Sequence, residues 1–72
     1  MHYGENRVYK TIEVIGVSKK SIEDAIQTAI AKAHKTLECV SWFEVKEIHG
    51  HVGDDGMVTE YQVILKVSFQ LK

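Results

Sequence analysis

From Met57 to Leu71 the odd positions are apolar except Thr59, while the even positions include Glu60, Gln62, Lys66, Ser68 and Gln70. Apolar residues at every second position set one face of a strand on a core and the other mostly towards water. The same alternation starts at Arg7, with Val8, Lys10, Ile12 and Val14 on one side and Tyr9, Thr11, Glu13 and Ile15 on the other, and predicts a strand over 7–17. A further strand is predicted from Val40 to Val52, through Trp42-Phe43-Glu44-Val45-Lys46-Glu47-Ile48, where the alternation turns the indole away from the core. Between the first and second strands the period changes. Ile22, Ala25, Ile26, Ala29, Ile30, Ala33 and Leu37 recur at helical spacing. Three alanines four residues apart make a ridge low enough to lie close on a sheet. Ser18 or Ser21 can cap this helix, Ser21 with Asp24 resembling a capping box, and helical character fades at Thr36-Leu37.

The order β-α-β-β predicts an α+β fold. Strand three, the most apolar, fits between the other two and antiparallel to both, giving a three-stranded antiparallel sheet of order 1-3-2 with a right-handed crossover, curled around one helix. Gly53-Asp54-Asp55-Gly56 is the hairpin turn, with Gly56 in the left-handed region and Gly53 paired with Met57. Continuing that register sets Phe43 against Val67, Glu44 against Lys66, Val45 against Leu65 and Gln62 against Ile48. Trp42, Ile48, Gln62 and Ile64 then share the outer face, while Glu44 and Glu47 fall on opposite faces and cannot act as a carboxylate pair. Residues 1–6 read as a flexible tail and 7–72 as one domain.

Length then changes the picture. With 72 residues the chain buries only about 60% of the surface its unfolded form exposes, so a lone subunit is marginal. The single cysteine, Cys39, excludes an internal disulfide, and Cys39, His34, His49 and His51 lack the paired spacings of a structural zinc site. Oligomerisation remains as support. A helix of about 17 residues is ~25 Å long, whereas a strand of about 15 residues reaches ~50 Å, so the far hairpin needs covering from elsewhere.

Nine Lys+Arg against ten Asp+Glu leave a formal charge of -1, without the basic excess that binding to nucleic acid through phosphates requires. No apolar run approaches a membrane span, and a cytoplasmic location, where a lone thiol stays reduced, is expected. His49 and His51, two residues apart on one strand, suit polar positions on a hairpin rim better than a metal site. Lys19 and Lys20 read as solvated, and Cys39 as a small filler with no base placed for it. No nucleophile, base and orienting group occur together, so no enzyme is expected. Trp42 is left as the distinctive residue: a large aromatic on an outer face either anchors another subunit or stacks on a flat ligand.

The phrases Ala33-His34-Lys35-Thr36-Leu37, Trp42 to Gly50 and Glu60-Tyr61-Gln62-Val63, in the order β-α-β-β, resemble the dodecins, small flavin-binding proteins that assemble as hollow dodecamers. The resemblance spans about Val8 to Leu71. It implies that Trp42 stacks on the isoalloxazine ring of riboflavin or flavin mononucleotide and that the amide of Gln62 hydrogen-bonds its polar edge. It also implies flavin sites at subunit interfaces, and storage or sequestration of flavin with quenching by electron donation from Trp42. Relatives commonly carry arginine where this chain has His49 and Gln70, so two cationic contacts that would serve a phosphorylated flavin or coenzyme A are replaced by neutral or weakly basic groups. The alternative to ligand binding is an interaction oligomer in which Trp42 is only an interface anchor.

Overall fold

A computed structural model describes residues 6–72; the expected tail at 1–6 lies almost wholly outside them. The described chain forms β1 (Tyr9–Ser18), α1 (Ile22–Thr36), β2 (Val40–Val52) and β3 (Val58–Gln70). The strands make one sheet of order β1-β3-β2, antiparallel throughout.

Local chemistry accounts for the boundaries. Ser21 caps α1 by accepting from the Asp24 amide at 3.0 Å. The Asp24 carboxylate does not reach back to Ser21 as a full capping box would. It accepts instead from the Ser18 hydroxyl at 2.7 Å, and the Ser18 oxygen in turn accepts from the Lys20 amide at 2.9 Å. Both candidate serines are therefore used, one as cap and one as relay. The helix stops where Leu37 turns extended, its N–H still donating to the Ala33 carbonyl at 2.9 Å. The chain then reverses through Cys39 at φ 57°, a left-handed conformation uncommon for a residue with a Cβ. The Cys39 carbonyl accepts from the Gln70 amide at 3.2 Å, tying this corner to the end of β3. At the other end the hairpin closes as its residues predict, with Gly53 donating to the Met57 carbonyl at 2.8 Å and Gly56 at φ 82°.

The core is thin and one-sided. Ala25, Ala29 and Ala33 meet Val63, Leu65 and Val67, which are fully buried on the central strand, and Ile12, Val14, Ile22, Ile26, Ile30, Leu37 and Val40 pack around them. The alanine ridge lets the helix come close enough to β1 that a Cβ on Gly16 would lie 2.1 Å from the Ala25 carbonyl oxygen. Gly16 is thus the contact point of helix and sheet, a role its place within a strand pattern allowed but did not announce.

The helix lies over β1 and β3 and barely touches β2. On β2 the helix-side residues Phe43, Val45 and Ile48 stay exposed, as do Val52 and Met57 at the hairpin. The molecule measures 55 × 20 × 17 Å, with a radius of gyration of 15.2 Å. A compact chain of this length would have about 11 Å. The mismatch of helix and strand lengths is resolved by overhang.

Candidate functional site

The two ladders differ in regularity. β1 pairs β3 without a break from Tyr9 opposite Gln70 to Ser18 opposite Tyr61. β2 pairs β3 with shifts between Val40 and Trp42, between Val45 and Glu47, and between His51 and Val52. The expected pairs Phe43 with Val67, Glu44 with Lys66 and Val45 with Leu65 are present. Lys46 is then an extra residue. It bulges from β2 and reaches across the outer face to β1, where its ammonium meets the Glu13 carboxylate at 3.0 Å.

That bulge corrects the register beyond it. Gln62 faces His49, not Ile48, and Ile48 faces Val63 on the helix side. It also brings Glu44 and Glu47 to the same face, opposite Lys66 and Ile64, where opposite faces were expected. Alternation counts residues two by two, and one unpaired residue reverses the assignments that follow until a second shift, here between His51 and Val52, restores the register in which Val52 faces Val58. The two carboxylates still serve separate partners, because Glu47 binds His49 at 3.0 Å and Glu44 is set against Lys66.

The outer face therefore carries two clusters. At one end Trp42, half exposed, lies opposite Ser68 and packs against Tyr9, the ring centroids 4.7 Å apart and the planes at 48°. The Arg7 guanidinium lies over the Tyr9 ring, 6.0 Å from its centroid, and Gln70 is the cross-strand partner of Tyr9. At the other end Gln62 and His49 are cross-strand neighbours. The Gln62 amide donates to the Glu60 carboxylate at 2.8 Å, which leaves its carbonyl oxygen and second N–H for other partners. Of the four expected ligand contacts, Trp42 is thus grouped with Gln70, and Gln62 with His49. Six residues of β3 separate Ser68 from Gln62, about 20 Å along the strand, with Glu13, Lys66, Glu44 and Lys46 making a charged belt between the clusters.

Electrostatically the belt is mild. The Glu13 carboxylate raises the Lys46 ammonium above its ordinary value, first by hydrogen bonding and then by its charge. His51 is held by Thr59 at 2.8 Å, apart from His49. Among the described residues no three His, Cys, Asp or Glu side chains converge to hold a metal ion, and no helix is long and apolar enough to cross a membrane. The Lys19-Lys20 turn offers little to an anion, since the Lys20 and Asp24 amides already donate to Ser18 and Ser21. Tyr9, Glu47 and Glu60 were not singled out as site residues from the sequence. Tyr9 was recognisable only as an outer-face aromatic, and its contact with Trp42 crosses a strand that local spacing cannot reveal.

The family model described as Dodecin matches residues 8–72. A dodecin of Thermus thermophilus is 53% identical over 66 residues, 92% of this chain and 94% of the relative. The calcium dodecin of Mycobacterium tuberculosis is 34% identical over 65 residues, 90% of each chain. Among solved structures, the dodecin of Streptomyces davaonensis superposes with a TM-score of 0.88 at 35% identity, covering 94% of this chain and 98% of the other. Strand order, single helix and outer-face tryptophan thus coincide with a match over nearly the whole chain, and the protein belongs to the dodecin family.

Proposed function

We propose that this chain is a non-enzymatic flavin-binding protein that stores or sequesters flavin and quenches its photochemistry, acting as a homo-oligomer, a dodecamer. The observation that carries the reading is the half-exposed Trp42 indole on an outer face that, among the described residues, no helix or further strand covers. An indole offers a broad electron-rich face to a flat heterocycle, and the free carbonyl and N–H of Gln62 suit the alternating acceptors and donors of a flavin's pyrimidine edge. When bound, flavin supplies a light-absorbing, reducible ring. Trp42, stacked on that ring, would donate an electron to its excited state and take it back, returning the ring to its ground state without product.

Trp42 and Gln62 lie about 20 Å apart along the sheet, further than one three-ring system extends. We therefore place each flavin between subunits, with Trp42 from one and Gln62 from another. His49 and Gln70 border the two clusters as polar contacts. With neither position an arginine, the site has little preference for flavin mononucleotide over riboflavin and weak affinity for coenzyme A. A cytoplasmic setting suits the unpaired thiol of Cys39.

Titration of riboflavin and of its phosphate with purified protein tests this directly. Flavin fluorescence should vanish on binding. Stacking on an aromatic side chain is worth about 1–3 kcal/mol by alanine substitution, so Trp42→Ala should weaken binding by about five- to a hundredfold. Full fluorescence at saturating protein would instead favour an interaction oligomer anchored by Trp42.

A further inference from the structure

Ser68 is a small polar residue on the outer face of the central strand, yet it is only 3% exposed. Its neighbours explain this. Thr11 flanks it from β1, with the two hydroxyl oxygens 2.8 Å apart, and Trp42 flanks it from β2. Tyr9, two residues before Thr11, touches the indole although their strands are not adjacent. Neighbouring strands are about 4.8 Å apart, so rings from β1 and β2 meet only by leaning over β3. The serine beneath them is small enough to let them do so, and they roof it.

The consequence for Trp42 is asymmetry. The Tyr9 ring packs against one side of the indole, tilted at 48° to it, and is itself overlain by the Arg7 guanidinium. The rest accounts for its 51% exposure. We infer that Tyr9 is the positioning residue of the ligand platform: it packs against one side of the Trp42 indole and fixes the angle at which the exposed remainder of the indole meets a flat ring. The inference rests on the proposed flavin-stacking role of Trp42. Ser68 acts as the floor of the same device, because a larger side chain there would pry the two rings apart.

An aromatic pair of this kind corresponds to about two- to tenfold in an equilibrium constant. Riboflavin titrations of wild type, Tyr9→Phe and Tyr9→Ala, with Tyr9→Leu keeping bulk should the alanine variant not assemble, measure the effect. Tyr9→Phe should bind and quench as wild type does. Tyr9→Ala or Tyr9→Leu should bind about two- to tenfold more weakly and leave bound flavin visibly fluorescent at saturating protein, a signature that a loss of fold stability alone does not produce. Equal affinity and complete quenching in the non-aromatic variants would overturn the inference, as would a Tyr9→Phe variant as impaired as they are. Trp42 fluorescence anisotropy in the ligand-free protein separates this from failure of the flavin reading. If wild type does not quench flavin, lower anisotropy in Tyr9→Leu still supports the positioning role, and unchanged anisotropy overturns it.

Discussion

The two ladders of this sheet present a contrast within one small domain. β1 pairs with β3 in an unbroken register beneath the helix, whereas β2 pairs with the same strand through three shifts and has almost no helix above it. On the β1 side, side chains of β3 are fully buried between strand and helix, and a one-residue slip would expose that apolar set. On the β2 side the helix-facing residues Phe43, Val45 and Ile48 remain exposed, so among the described residues nothing packed on that face penalises an extra residue such as Lys46. Regular pairing accompanies the covered half. Bulges accompany the uncovered one, and with them Trp42 and His49 among the residues assigned to the ligand, in keeping with the tendency of bulges to sit on sheet edges and near sites.

The contrast breaks most severely at Gly16. A methyl group there would lie 2.1 Å from the Ala25 carbonyl oxygen and 3.0 Å from the Ala29 Cβ, and backbone cannot yield as a side-chain tip can. Gly16→Ala should cost about 3 kcal/mol or more through overpacking. In so small a domain that should abolish the cooperative melt followed by circular dichroism. A variant as stable as wild type would show that the helix can ride higher on β1 than its alanine ridge places it.

Truncation on each side sharpens the difference. Leu65 is fully buried, and Leu65→Ala should cost about 3 kcal/mol, within the usual range for cavity-forming substitutions. Ile48 is 51% exposed within the subunit, and Ile48→Ser should leave the far-ultraviolet spectrum unchanged while moving the sedimentation profile towards smaller species. If Ile48→Ser sediments as wild type does, the uncovered half of the sheet is not an assembly surface.

The altered register has its own test. In a Cys39→Ser background, cysteines at His49 and Gln62 should oxidise to a disulfide, since facing residues of an antiparallel pair are about 4.5–5.5 Å apart at Cα and a disulfide spans that range. The bond should add up to about 3 kcal/mol. The pair Ile48→Cys with Gln62→Cys should stay reduced, its side chains pointing to opposite faces. The reverse outcome would restore the unbulged register.

These residues also show how far the sequence could be read. Strand order, helix limits, the Gly53–Gly56 turn and the pairs from Phe43 to Val45 follow from periodicity and turn chemistry, which are local properties. Trp42 was legible as an outer-face aromatic for the same reason. The Lys46 bulge was not, because Lys46 continues the alternation as well as any paired residue, and its unpaired state depends on β3. The left-handed Cys39 and the Tyr9–Trp42 contact are likewise products of tertiary closure. Spacing along one strand carries no information about which ring leans over its neighbour.

The smallest effect is expected where the two halves are joined by charge. Lys46 and Glu13 link the outer strands at 3.0 Å, both about half exposed, and such a bridge is screened by solvent and salt. The carboxylate raises the Lys46 ammonium above its ordinary value of 10.5. The stabilisation is therefore fully present below that value and lost only as pH rises through the higher folded one. Glu13→Gln should leave the melting temperature at pH 7 unchanged within error and should abolish any salt dependence confined to this pair. It should also remove a stability decrement that wild type shows only in strongly alkaline solution. A clear loss at neutral pH would mean that the bridge holds the Lys46 bulge in place, and that the irregular ladder depends on an outer-face charge pair as the regular one depends on the helix.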